Sequence, residues 1–308
     1  MIDALPAVES SAPYYYQLIS NLNNNLSLEE VKRFRDYILS DNVTNPIDRV
    51  MKKNNIDNEN FVNDVIGTRL IREGNFREAL PYLADIDLKW IGKQPVSPYF
   101  RHHPTNAEYY KFRRSDTSAT SSNINYNYNY KANFCAEILN LIDDYSNSSG
   151  DEKAKNALDI AAMCHFASVV GDGWALTDYS WSGAGPESDA LTDMMKVWAN
   201  RAREAAVSDN LKSMAYYALL SVSDSKQKSD YGDYYYYNYP FGFTSKGYTP
   251  NGNPIVDRYY LNSPSTIQKQ GLQFIASHWN DNNLPYYIKS CDVLKSYVAG
   301  NFISKPIY

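Results

Sequence analysis

The chain has 308 residues, 44% of them apolar and 21% charged, enough to bury a large core without a disulfide or a metal. A net charge of −5 gives no general attraction for nucleic acid or anionic membranes, and no run of residues is long and apolar enough to read as a transmembrane segment. Gly and Pro, 14 of each, are few for this length, as a helix-rich chain requires, whereas 28 Tyr suit surfaces that are half wet and half packed.

The first helix is expected over 14–22, just after Pro13. Ser27-Leu28-Glu29-Glu30 then spells a capping box, and Val31, Phe34, Ile38 and Leu39 give the inward stripe of a helix ending near Ser40. Pro46 opens another short helix. Phe61, Val62, Val65, Ile66 and Leu70 recur at three- and four-residue spacing up to Gly74, and Phe76, Ala79, Leu80, Leu83 and Ile86 line the helix that follows. A turn this tight makes the two helices antiparallel, each covering the other's apolar side.

Residues 90–104 are broken by Gly92, Pro95, Pro98 and Pro104 and read as loop. A short helix over 106–114 and a polar linker over 115–122 follow. Tyr and Asn alternate over 125–130, which is strand-like in period but poor in strand formers, so an ordered loop is expected there. Phe134, Ile138, Leu141 and Ile142 mark the next helix. The one over 151–170 is apolar nearly all round and is expected to be the central buried helix.

Further helices carry Leu191, Met195, Trp198 and Ala202, then Leu211, Met214, Ala215 and Val222. Residues 223–263 form a long insertion rich in Tyr, Gly, Asn and Pro. Two closing helices turn Ile267, Gly271, Phe274 and Ile275, then Tyr287, Ile288, Cys291, Leu294 and Val298, inward. No strong strand pair is expected anywhere. The fold class is all-α: stacked antiparallel helix pairs in one domain over 1–308, with a Tyr-rich loop insertion at 223–263.

The segment 62–86, VNDVIGTRLIREGNFREALPYLADI, resembles a tetratricopeptide repeat. Gly67 falls where that family places a small residue at the helix crossing. Gly74, Phe76 and Ala79 fit its turn glycine, aromatic and alanine. Asn63, where the family prefers an aromatic, and Pro81, inside the second helix, depart from it. The resemblance implies a helical-repeat solenoid, with the repeat-like pair at 58–89. The Tyr/Asn bias, GDGWALTDYSW and SCDVLKSYV are similar to uncharacterised envelope proteins of Bacteroidetes. That likeness implies an extracytoplasmic chain, and the polar, acidic stretch after Met1 leads to the expectation that it is part of a longer natural protein. SusD-like glycan-capturing lipoproteins of that phylum also contain such helices.

The most site-like stretch runs from Gly171 through Trp174 and Asp178 to Trp181. Trp faces stack on sugars and carboxylates accept from hydroxyls, and the bland alternative is that both Trp pin a loop onto the core. Asp172, Asp178, Glu187 and Asp189 offer the paired acids of glycoside hydrolysis, against a solvated acidic loop. Tyr234, Tyr235, Tyr236 and Tyr237 supply rigid amphipathic contact area, or else a loop folded over the helices.

His102 and His103 are adjacent and point apart, so no metal is expected. His165 reads as a core residue, and His278 as a complement to a helix dipole. Cys135, Cys164 and Cys291 sit in apolar helical patterns as small hydrophobes. No nucleophile elbow, phosphate loop or dinucleotide fingerprint appears, so neither catalytic residues nor a cofactor is assigned. The leading expectation is a non-catalytic binding or scaffold module recognising a protein or peptide. Glycan binding through Trp174, Trp181 and the Tyr-rich loop is the alternative, and an unrecognised hydrolase the third.

Overall fold

A computed structural model describes residues 19, 21–46, 48, 55–88, 129–168, 171, 173–179, 190–222, 226–228, 235–237 and 240–306. The described residues are mainly helical. They fall into two compact units, Met1–Ile142 with Ala162–Met194 and Asp143–Ala161 with Met195–Tyr308.

In the first unit a π-helical turn, Asn21–Asn25, precedes α1, Leu28–Leu39. The expected capping box is formed: the Ser27 hydroxyl accepts from the Glu30 N–H at 3.2 Å, and the Glu30 carboxylate accepts from the Ser27 N–H at 2.7 Å. Val31 and Ile38 are the buried rungs of α1, which packs against α2, Asn55–Arg72.

α2 ends in a Schellman turn: the Gly74 N–H donates to the Ile71 carbonyl at 2.9 Å and the Asn75 N–H to the Leu70 carbonyl at 2.8 Å. Gly74 adopts φ +77°, a left-handed conformation that favours glycine. The chain reverses into α3, Phe76–Ala84, whose Phe76, Ala79 and Leu83 are buried as the spacing predicts. At the crossing, a Cβ on Gly67 would sit 2.4 Å from Leu83, so only glycine allows this approach.

α4, Tyr130–Asn147, begins where the Asn129 side chain accepts from the Ala132 N–H at 3.0 Å, and brings Phe134 edge-on to Phe76 at 5.9 Å. α5 spans Gly150–Ala167, a 3-10 turn spans Trp174–Leu176, and α6 spans Ala190–Ala205.

α5 is not the most buried helix. Glu152 and Lys155 lie in water, whereas every residue of α2 from Asn60 to Arg72 is buried. Hydrophobic patterning favours α5 because α2 interrupts its apolar residues with Asn, Asp, Thr and Arg. Those polar groups are buried because they find partners inside the unit.

The second unit packs α7, Asp209–Leu220, against α8, Thr266–Ser277. Leu220, Leu272, Ile275, Leu284, Ile288 and Leu294 form its core. The insertion corrects the all-helical expectation. β1, Lys226–Lys228, pairs antiparallel with β2, Tyr235–Tyr237, and β3, Phe241–Tyr248, with β4, Pro254–Leu261.

The β3–β4 turn closes where the Thr249 N–H donates to the Asn253 carbonyl at 2.8 Å, with Gly252 at φ +78°. Phe241 and Leu261, directly paired, lay the hairpin on the core. The last expected helix is two: α9, Tyr286–Ser290, and α10, Asp292–Val298, part at Cys291, whose backbone is extended. The break leaves Ile288 and Leu294 inside but turns Tyr287 out to 42% exposure, against the inward position its spacing implies. Expected elements over 14–18, 49–54 and 89–128 lie outside the described residues.

Candidate functional site

One face of α2 carries a closed polar cluster. Asp64, 4% exposed, accepts from Lys131 Nζ at 3.1 and 3.2 Å and from the Tyr179 hydroxyl. Lys131 Nζ also donates to Thr68 Oγ1 at 2.7 Å, lies 4.5 Å from the centre of the Tyr179 ring, and comes from the first turn of α4. Burial pushes the Lys131 pKa down from its ordinary value, and the Asp64 carboxylate opposes that shift.

Below the cluster, Arg69 and Arg72 clasp the π-helical turn. Arg69 Nη1 donates to the Leu22 carbonyl at 3.1 Å, and Arg72 to the Asn23 carbonyl at 2.6 Å and the Asn24 side chain at 2.8 Å. The carbonyls of a wide turn have too few partners within it, and two guanidinium groups supply the missing donors.

The adjoining, more N-terminal turn of α2 lines a groove of about 530 Å³ between α1 and α3. Arg35 comes from α1. Glu59, Asn60 and Asn63 come from α2, and Pro81, Tyr82, Asp85 and Asp87 from α3 and just beyond. Arg35 Nε donates to Asn63 Oδ1 at 2.6 Å, its Nη2 lies 3.6 Å from Glu59, and its guanidinium covers the Tyr82 ring at 5.8 Å. The Asp87 N–H donates to Asn60 Oδ1 at 3.0 Å.

Both bonds use donors that cannot act as acceptors, so they fix the orientation of both amides. Both residues line the groove, Asn60 6% exposed and Asn63 7%, and neither Nδ2 is a buried donor without a partner. Pro81 has no N–H to offer the carbonyl four residues back, which loosens the helix at the groove wall. Among the described lining residues there is no serine, cysteine or histidine.

The expected site residues are placed as follows. Trp174 opens the 3-10 turn and is half-buried, and its carbonyl accepts from the Asp178 N–H at 2.9 Å. Asp178 Oδ1 accepts from Asn23 Nδ2 at 3.2 Å and from the Tyr179 N–H at 2.7 Å, so one of its oxygens is committed to holding the loop. Tyr235, Tyr236 and Tyr237 form β2, opposite Lys228, Gln227 and Lys226. Trp181 and Tyr234 lie outside the described residues, as do Asp172, Glu187 and Asp189. Among the described residues no group of His, Cys, Asp and Glu is arranged to hold a metal ion.

Sequence reasoning did not assign the groove. Its signal was present all the same, because Asn63 and Pro81, the two departures from the tetratricopeptide pattern, both line it. No protein-family model, no curated protein and no solved structure matches the chain.

Proposed function

We propose that this chain is a non-catalytic binding module, built from tetratricopeptide-like helix pairs, that recognises a protein or peptide segment. The segment lies in the groove between α1, α2 and α3. The observation that carries this reading is the pair of asparagine amides in the groove lining, each with its oxygen held by a fixed donor. An amide whose oxygen is already held presents its N–H groups in a fixed orientation, which lowers the cost of donating to a ligand oxygen. A setting in the bacterial envelope rests on the sequence phrases GDGWALTDYSW and SCDVLKSYV and belongs to the same proposal.

The test is capture of envelope proteins by the wild-type chain and by an Asn60→Leu/Asn63→Leu variant, with folding of both checked by circular dichroism. A protein held by the wild type and released by the folded variant supports the reading. Polysaccharide captured by both, and lost on Trp174→Ala, would replace it with glycan binding. Fractionation of a Bacteroidetes host tests the location, and recovery in the cytosol alone would remove the envelope from the proposal.

A further inference from the structure

We infer that His278 is a proton-operated clasp in the second unit. As an imidazolium it ties the C-terminal end of α8 to the first turn of α7, and as a neutral ring it releases Asp209.

Both ring nitrogens face acceptors. Nδ1 lies 2.8 Å from the Phe274 carbonyl and 3.0 Å from Ser277 Oγ. The Ser277 hydroxyl donates to that same carbonyl at 2.8 Å, so toward the ring it too is an acceptor. On the far side, Nε2 lies 3.5 Å from Asp209 Oδ2. A neutral imidazole carries one N–H, and either tautomer turns a lone pair on an oxygen, the carbonyl at 2.8 Å or the carboxylate at 3.5 Å. The imidazolium, with an N–H on each nitrogen, meets both. The shorter contact selects Nδ1–H for the neutral ring, so the proton that comes and goes is the one on Nε2.

The surroundings favour the charged pair. His278 caps the C-terminal end of α8 and Asp209 stands in the first turn of α7, where the fields of the two helices suit a cation and an anion. The imidazolium also lies on the Phe274 ring, with centroids 4.3 Å apart and planes at 26°. Charged groups on the neighbouring elements are engaged elsewhere. Arg203, from α6, lies over Tyr216 and pairs with Glu204 at 3.2 Å, while Lys212 of α7 acts on the Asp151 carboxylate. In the turn after α8, Asp281 Oδ1 accepts from the Asn283 N–H at 3.0 Å, and Lys289 donates to the Asp281 carbonyl at 2.6 Å. Among the described residues, Asp209 is the one carboxylate paired with the ring.

The sign of the pH dependence follows. Protonation gives the ring a partner in the folded chain that it lacks in the unfolded one. The clasp therefore contributes below the ordinary histidine value of about 6.5 and is lost as the pH rises above it. Asp209 is half exposed, so the contribution is that of a partly screened pair.

The experiment is a double-mutant cycle of the full chain, Asp209→Asn, His278→Gln and both together, by urea unfolding at pH 5 and pH 8. At pH 5 the pair should favour folding about two- to fivefold beyond the product of the single effects, and at pH 8 that coupling should vanish or reverse. Equal coupling at the two pH values, or none at pH 5, would overturn the clasp. The ¹⁵N signals of the wild-type ring decide the matter even if a variant fails to fold. At pH 8 Nδ1 should keep its proton and Nε2 lose it, and an Nε2–H ring there would overturn the clasp.

Discussion

Helix α2 presents two adjoining polar patches that share a burial and differ in their partners. On one, Asp64 and Thr68 meet Lys131 and Tyr179, and the charged groups are matched within the chain. On the other, Asn60 and Asn63 each have the amide oxygen held by a fixed donor. The matched face holds α4 and the loop around Tyr179 against α2 and leaves little for a ligand to gain. The other patch is the one proposed to meet a ligand. Similar polar residues, only one turn apart, thus serve stability in one patch and, in the proposed function, recognition in the other.

The sharpest way to break this contrast is Lys131→Met, which strands the Asp64 carboxylate inside the unit. Urea unfolding should show a loss of about 3–5 kcal/mol, and adding Asp64→Leu in the same chain should recover most of it. A loss under about 1 kcal/mol would mean that the pair is not matched as described. Next comes Tyr179→Phe, which removes one donor to the same carboxylate and should cost about 2 kcal/mol, near the value for a hydrogen bond to a charged group.

On the groove patch the balance shifts. Asn60→Leu/Asn63→Leu removes the acceptors of Arg35 and the Asp87 N–H and should cost about 1–3 kcal/mol, less than Lys131→Met, while abolishing capture of the ligand. A loss as large as that of Lys131→Met would make the groove a structural feature.

The smallest effect concerns a carboxylate held by neutral donors. Asp48 is buried and accepts from the Thr44 hydroxyl at 2.6 Å, from the Tyr37 hydroxyl, and from the Thr44 and Asn45 N–H groups at 2.7 and 3.1 Å. Those donors, Thr44 first, pull its pKa below the usual carboxylate range. A folded-state value below the unfolded one means that its contribution is complete above about pH 4 and is lost as the pH falls through the folded value. The urea midpoint of Asp48→Asn should therefore fall less between pH 5 and pH 2 than that of the wild type. Identical slopes would place the acid sensitivity elsewhere.

Much of the helical frame was legible in the sequence because it is written in local chemistry. The capping box at Ser27, the glycine turn at Gly74 and the apolar spacing of α2 and α3 act over one or two turns, and each forms as read. The β3–β4 hairpin was equally local. Pro250-Asn251-Gly252, between the aromatic and β-branched residues of Phe241–Tyr248 and Pro254–Leu261, is a turn signal, masked by an insertion that otherwise reads as loop.

The buried polar face was not legible by any local rule. Asp64 and Lys131 are 67 residues apart, and Tyr179 lies 115 from Asp64, so only the fold brings them together. The groove lay between these cases. Asn63 and Pro81 stood out as misfits of a familiar pattern, but Arg35 reaches them from another helix.

The three cysteines give the fold a built-in reporter. Cys135 and Cys164 are buried, burial pushes the Cys135 thiol up to about 12, and Cys291 is partly exposed between α9 and α10. Reaction with an alkylating reagent needs both access and thiolate, and Cys135 offers neither while the chain is folded. A maleimide should therefore modify Cys291 first, marking the second unit with a single dye. The delay before Cys135 reacts would time how often the first unit opens, without any engineered residue.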